Sequence, residues 1–162
     1  MRVPAATSAP IGGTFVLASS AMLAYLKNEP GGPLVASILG DTTSTVYAHS
    51  TNIAEVRYNF GAPSIAGNST KASAGLAQLF ASGVQERRDN DGPFFEDVAL
   101  LIAERRAQPR DPARPQAVPT LALGDAFGLA LARRLNVPFV TADQSEIAPL
   151  QTAGFCLALF IR

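Results

Sequence analysis

Residues 123–143 read LGDAFGLALARRLNVPFVTAD, a helix followed at once by a short buried strand, with a carboxylate at the start of one and just past the end of the other. From Asp125 onward Phe127, Leu129, Ala130, Leu131 and Leu135 recur at helical spacing, and Arg133 and Arg134 fall in the last turn, at the negative end of the helix dipole. Asn136 and Pro138 stop the helix. The run Pro138-Phe139-Val140-Thr141 suits a buried parallel strand, and Asp143 lies just beyond its carboxyl end, where open α/β sheets place their ligands. Asp125 has two readings. As a first-turn acid it stabilises the helix by about 1 kcal/mol; as a site residue it needs partners from elsewhere in the chain.

Those partners must come from a chain that alternates strand and helix. Thr14-Phe15-Val16-Leu17 is a β-prone run leading through Ala18-Ser19-Ser20 into a helix with Met22, Leu23, Tyr25 and Leu26 on its apolar side. Asn28 to Gly32 breaks that helix, and Leu34, Val35, Ile38 and Leu39 predict a short second one ending at Gly40. Ser44 to Ala48 is a further strand, with Ser50 or Thr51 placed to cap a helix carrying Ile53, Ala54 and Val56 and bearing Glu55 in its second turn. The pattern weakens after Gly61-Ala62-Pro63, but Lys71 to Ala81 is rich in Ala and Leu and predicts a helix. Val84 to Arg87 reads as an edge strand, and Phe95, Val98, Leu101 and Ile102 repeat at helical spacing to Ala107. Four prolines from Pro109 to Pro119 make an extended connector, and Gly154 to Ile161 reads as the last strand.

This alternation predicts one α/β domain over residues 14–162, a mostly parallel sheet covered on both faces, after a leader at 1–13. A chain of 162 residues, 48% hydrophobic and 16% charged, buries a sizeable core without staples and is not a disordered chain. Thirteen basic residues balance thirteen acidic ones, so nucleic-acid contact requires a local patch. The lone Cys156 sits in the apolar run GFCLALFI, as a small hydrophobe, and excludes an internal disulfide. No signal-peptide core and no run near the ~20 apolar residues of a membrane span is visible, so the expectation is a cytoplasmic protein with no membrane partner. The first two helices, Ser20 to Leu26 and Leu34 to Leu39, offer more apolar surface than one sheet face needs, which predicts that a second chain covers part of it.

Strand ends at Leu17, Ala48 and Thr141 converge in such a sheet, bringing Glu55, Asp125 and Asp143 toward one pocket. Clustered acids repel unless a proton or cation intervenes, and a hard divalent ion with oxygen ligands, Mg²⁺ or Mn²⁺, is the natural companion. Without convergence each is an ordinary surface or capping acid. No glycine-rich loop of the form G-x-x-x-x-G-K-[ST] occurs, which argues against a P-loop nucleotide enzyme.

In order and spacing, FVLASSAMLAYLKNEPG, STNIAEV and LGDAFGLALARRLNVPFVTADQ resemble the sequence blocks of the PIN domain, most of all the VapC-type toxins of bacterial toxin–antitoxin pairs. The resemblance runs from about Thr14 to Asp143, with little of it between Gly61 and Pro119. It implies a three-layer α/β/α fold and a metal-dependent endoribonuclease whose acids hold Mg²⁺ or Mn²⁺ and activate water to hydrolyse RNA. It also implies a homodimer, and an antitoxin whose C-terminal segment lies in the active groove. Carried across, the family's acids correspond to Glu55, Asp125 and Asp143, and its hydroxyl positions to Ser20 and Thr141. The first acid is missing: Ala18 stands where the family has Asp, and no residue from Thr14 to Lys27 carries a carboxylate. A methyl group neither binds a cation nor orients water, so the resemblance implies an impaired nuclease. Either the chain is a binding-only relative acting through its antitoxin, or Ala18 marks an Asp→Ala change that tames a toxic enzyme. Arg57 and Tyr58, within a turn of Glu55, are candidate contacts to RNA or antitoxin, with surface solvation as the alternative. His49 reads as a helix-entry residue and not as a general base.

Overall fold

The computed structural model describes residues 12–61 and 68–162, in which five parallel strands are covered by seven helices. The chain runs β1 (Gly13–Leu17), α1 (Ser19–Lys27), α2 (Gly32–Gly40), β2 (Ser44–His49), α3 (Ser50–Gly61), α4 (Asn68–Ala81), β3 (Val84–Arg87), α5 (Gly92–Ala107), α6 (Leu123–Leu135), β4 (Phe139–Thr141), α7 (Gln144–Thr152) and β5 (Ala158–Phe160). Strand order is β3-β2-β1-β4-β5, with all four pairings parallel. Leader residues 1–11 and the weak stretch after Gly61, at 62–67, lie outside the described residues.

Alternation along the strands sorts the core into two halves. Phe15 and Leu17 of β1, Val46 and Ala48 of β2 and Val140 of β4 face α1 to α4, where Met22, Ile38, Val56 and Leu79 meet them. Val16 of β1, Ala18 just past it and Phe139 of β4 face the other way, against Phe94, Leu101, Leu129, Leu131 and Ile147 of α5, α6 and α7. Central strands apolar on both faces are what a doubly covered parallel sheet requires. The architecture is therefore the expected α/β/α sandwich.

Helix ends follow local chemistry. Asn28 and Asn136 close α1 and α6 in the left-handed conformation, at φ 53° and 54°, one of the few non-glycine uses of that region. Arg134 in the last turn of α6 pairs with Asp91, the N-cap of α5, at 2.7 Å and with Asp89 at 2.9 Å, fastening two helices of one layer. The connector between α5 and α6 has turns and no regular element, as its prolines dictate.

Two expectations need correction. Helix α3 begins at Ser50, so its cap is neither Ser50 nor Thr51 but His49, whose Nδ1 accepts from the Thr51 amide at 3.2 Å. The last strand spans only Ala158–Phe160, and α7 precedes it. The amide of Phe155 returns to the Leu150 carbonyl at 2.9 Å, so Gly154 and Phe155 finish α7 before the strand begins. On α1 and α2, Ala21, Met22, Ala24, Val35 and Ile38 are buried, and Leu23, Leu26, Leu34 and Leu39 pack against the same core while remaining partly exposed. Exposed large apolar side chains lie elsewhere, among them Tyr58, Phe95, Leu100 and Leu123.

Helix α6 lies close to the sheet and to α3 because Gly128 has no side chain at the crossing. A Cβ there would fall 2.6 Å from the Phe139 ring and 2.7 Å from Asn52 Oδ1. Both neighbours are buried and held, so neither can yield freely. Gly128→Ala is expected to lower stability by about 1–3 kcal/mol despite the better helix propensity of alanine. Chemical denaturation of the two proteins measures the difference, and an unchanged or raised midpoint would show that α6 can back away from the sheet.

Candidate metal centre and its acids

Strand order reverses at β1. The connections from β1 run outward through β2 to β3 on one side, while β4 and β5 lie on the other, so the carboxyl ends of β1 and β4 flank the crevice where such sheets bind ligands. The two ends are tied together: the Ala18 amide donates to the Val140 carbonyl at 2.9 Å, continuing the ladder in which Leu17 pairs with Val140. The segment leaving β4 is held from both sides. Ser20 Oγ accepts from the Ala142 amide at 3.0 Å and lies 3.3 Å from Thr141 Oγ1, which in turn accepts from the Asp143 amide at 3.0 Å. Ser20 and Thr141 thus act on the backbone that aims Asp143.

Asp125, in the first turn of α6, is 5% exposed, and its Oδ1 is buried with no hydrogen-bond partner. Burial pushes its carboxyl up to about 7, with the negative charges of Asp143, Glu146 and Glu55 adding to the effect. Four carboxylates therefore share one electrostatic neighbourhood. Asp143 occupies the N-cap position of α7 yet makes no side-chain cap bond, and its carboxylate is not spent on the helix. Glu146, in the first turn of α7, accepts from the Ala122 amide at 3.0 Å and so joins the starts of α7 and α6.

Helix α3 meets α6 along a seam of two polar residues and two glycines. Asn52, fully buried, donates from Nδ2 to the Gly124 carbonyl at 3.1 Å, and its Oδ1 has no partner. One turn on, Glu55 rests against Gly124, where a Cβ would lie 2.5 Å from Oε2. Glycine at 124 is what lets the Glu55 carboxylate approach the start of α6. Asn52 and Glu146 were not legible as site residues. Asn52 carries no pattern of its own, and Glu146 is visible only as an acid three residues beyond Asp143, on a helix hidden by Pro149 and by having just Ile147 and Leu150 as buried residues.

The remaining candidates lie further out. Tyr58 is 62% exposed and, with Glu55, Leu123 and Gly124, lines a shallow cavity of about 250 Å³ beside the acids. Arg57 is exposed and in no ion pair among the described residues. His49 is buried, stacked 5.3 Å from Phe94, with Nδ1 accepting from Thr51 and Nε2 facing the Asp89 carbonyl at 3.0 Å, a structural histidine with both nitrogens engaged. Cys156 is half-buried and burial pushes its thiol up to about 11, in keeping with a small hydrophobe.

An oxygen-only donor set with one orphaned buried carboxylate oxygen suits a hard divalent cation in kind. In number it falls short: among the described residues no three His, Cys, Asp or Glu side chains stand close enough to hold an ion together. Ala18, with no exposed surface, puts a methyl group at the carboxyl end of the central strand.

The sign of the Asp125 shift makes a definite pH dependence. A carboxyl raised from 3.8 to about 7 is neutral in the folded protein while the unfolded chain ionises, so stability is highest below pH 4 as far as this group is concerned. It is lost as pH rises to about 7, to an extent on the order of 4 kcal/mol. In the metal-free protein with chelator present, Asp125→Asn should match the parent near pH 4 and exceed its melting temperature by several degrees at pH 8. A constant gap across that range would mean that Asp125 is not the buried titrating group.

No family model matches the sequence, and no curated protein matches it. Solved structures do. The chain is similar to VapBC-1 from nontypeable Haemophilus influenzae (TM-score 0.62, 13% identity, 92% of this chain and 98% of that one). It is similar also to VapBC2 from Rickettsia felis bound to a promoter DNA fragment (0.58, 15%, 91% and 98%). A third is VapBC-5 from Mycobacterium tuberculosis, a member of the VapBC family of toxin–antitoxin systems (0.54, 18%, 93% and 99%). Among the described residues no helix is long and apolar enough to cross a membrane. At these identities the likeness is one of fold, and over nine-tenths of its length the chain has the PIN-like α/β/α fold of these toxin–antitoxin structures.

Proposed function

We propose that this chain is a toxin-type metal-dependent endoribonuclease that hydrolyses RNA phosphodiesters, weakened by Ala18 at the position of the first acid. The observation that carries the reading is Asp125: a buried carboxylate with an orphaned oxygen, surrounded by three further acids, at the point where strand order reverses. A cluster of this kind costs stability and is retained where a cation or proton is to be held. Asp125, Asp143 and Glu55, with Glu146 nearby, are the oxygen donors a Mg²⁺ or Mn²⁺ ion would have to draw together, since no three of them stand close enough to hold it as they are placed. The ion would supply Lewis-acid stabilisation of phosphate charge and a more acidic bound water.

The residues of the chain itself divide the work. Ser20 and Thr141 fix the turn that presents Asp143, Asn52 fixes the separation of α3 and α6 on which the reach of Glu55 depends, and Glu146 ties the start of α7 to that of α6. Asp125, neutral or charged near neutral pH, accepts or releases a proton at Oδ1 at little cost, as a group acting on a nearby water should. An antitoxin and a second copy of the chain are the partners in this reading, and the exposed Tyr58 and Leu123 beside the acids are surface for one of them.

The second reading, a binding-only relative that acts through its antitoxin, is favoured by the buried methyl of Ala18 and by the spread of the acids, no three of which among the described residues stand close enough to share an ion. Ala18→Asp separates the two. Residue 18 is the uncapped N-cap of α1, so an Asp there would also cap that helix, a gain of about 1 kcal/mol set against added repulsion with Asp125. The substitution is expected to tighten Mn²⁺ binding about tenfold or more, equivalent to about 1.4 kcal/mol, and to turn on chelator-sensitive cleavage of RNA. Calorimetric titration of both proteins, with cleavage of a structured RNA after removal of antitoxin, measures this. Equal Mn²⁺ affinity and inertness toward a broad panel of RNAs would rule for the binding-only reading.

A further inference from the structure

Beside the acids, on the side of Glu146, a cavity of about 190 Å³ lies between α5, the 108–122 connector and the start of α7. It is lined by Arg105, Arg114, Thr120 and Ser145 together with Asp111 and Glu146. Arg105 is the anomaly. Its Nη2 donates to the Ser145 carbonyl at 3.2 Å, but Nε and Nη1 are buried and meet no acceptor. A guanidinium with buried donors that meet no protein acceptor is costly unless an anion or water takes them, and of the two an anion also answers the charge. Arg87, Arg88, Arg133, Arg134 and Arg162 are all paired with carboxylates, whereas neither Arg105 nor Arg114 is in an ion pair among the described residues.

The two acids in the lining each accept one backbone amide on one oxygen and are in no ion pair with either arginine. Asp111 Oδ1 accepts from the Ala113 amide at 2.8 Å, and Glu146 Oε2 accepts from the Ala122 amide at 3.0 Å. Helix α7 brings its first turn to the cavity through Ser145 and Glu146. Two guanidinium groups with the hydroxyls of Thr120 and Ser145 suit a tetrahedral oxyanion with several acceptor oxygens. The volume, several times the ~30 Å³ share of one water, admits it.

We propose that this cavity is a phosphate subsite, taking a backbone phosphate of the RNA next to the one that is cut. The inference rests on the nuclease reading for the identity of the ligand and on the arginines for the site. Glu146 is shared by the acid cluster and the cavity, so a strand held at one is delivered to the other. With zero net charge over the chain, attraction of a polyanion must come from such local cations.

The test uses the full chain in chelator, with two probes. Inorganic phosphate is titrated while the side-chain Nε–H resonance of Arg105 is followed by NMR. A labelled single-stranded RNA of twelve nucleotides is titrated at several salt concentrations. Phosphate should shift the Arg105 resonance. Arg105→Ala and the exposed Arg114→Ala should each weaken RNA binding about three- to tenfold and lower the salt slope by about 0.7, with Arg105→Lys recovering the slope but not the full affinity. An unmoved Arg105 resonance together with RNA binding unchanged in both alanine variants overturns the subsite, even if the Ala18→Asp protein cuts RNA. A phosphate-induced shift without measurable RNA binding also overturns it as an RNA subsite, leaving a site for free phosphate, and counts against the nuclease reading as well.

Discussion

Pairing of β1 with β4 is the contact on which the rest of this structure depends. Only two residues of each strand are in register, Val16 with Phe139 and Leu17 with Val140, yet this short ladder joins the β1-β2-β3 half of the sheet to the β4-β5 half. It also decides where the chemistry sits. Because both strands end at the same level, the residues that follow them, Ala18 and Ala142-Asp143, face one another across the crevice, and α1 and α7 start on either side of it. Helix α6 enters from the same edge. Topology alone therefore brings polar groups from three separate stretches of sequence to one place.

Electrostatics at that place runs against folding. Asp125 is buried beside three other carboxylates, and the strain appears as a carboxyl pushed up to about 7. The fold supports this with groups that hold position without neutralising charge: the Ser20–Thr141 hydroxyl pair, Asn52 on the Gly124 carbonyl, and Glu146 on the Ala122 amide. All of them fix backbone or the separation of elements. Ala18 relieves part of the repulsion, since a fifth acid at the central strand end would meet the same neighbours.

Much of the fold was legible because buried parallel strands and amphipathic helices have different periods, and the alternation of the two leaves few topologies open. The runs Thr14–Leu17, Ser44–Ala48 and Pro138–Thr141 became β1, β2 and β4, and Val84–Arg87 became the edge strand β3. What was lost had too little pattern to register. Helix α7 has only two buried apolar residues and a proline inside it, so its first turn, with Glu146, carries no helical signal in the sequence. The terminal apolar run looked like one long strand because hydrophobicity does not distinguish the closing turn of a helix from the strand that follows. Of the site, the acids at element ends were visible from position alone. Asn52 was not, since its importance comes from facing Gly124 and Gly128 on another helix. The cluster at Arg105 needed the connector folded back over α5 before its donors were seen to lack acceptors.

The seam between α3 and α6 has a mechanical consequence. Glycines 124 and 128 sit one turn apart on α6 and receive Glu55 and Asn52 from α3 as two teeth entering two notches. Such a joint works as a spacer gauge: sliding either helix by one residue would drive a side chain into backbone, and parting them would break the buried Asn52–Gly124 hydrogen bond. Carboxylate repulsion strains against that bond. The seam thus sets the register of α3 and α6 as well as their spacing, and with it the place of Glu55 relative to Asp125.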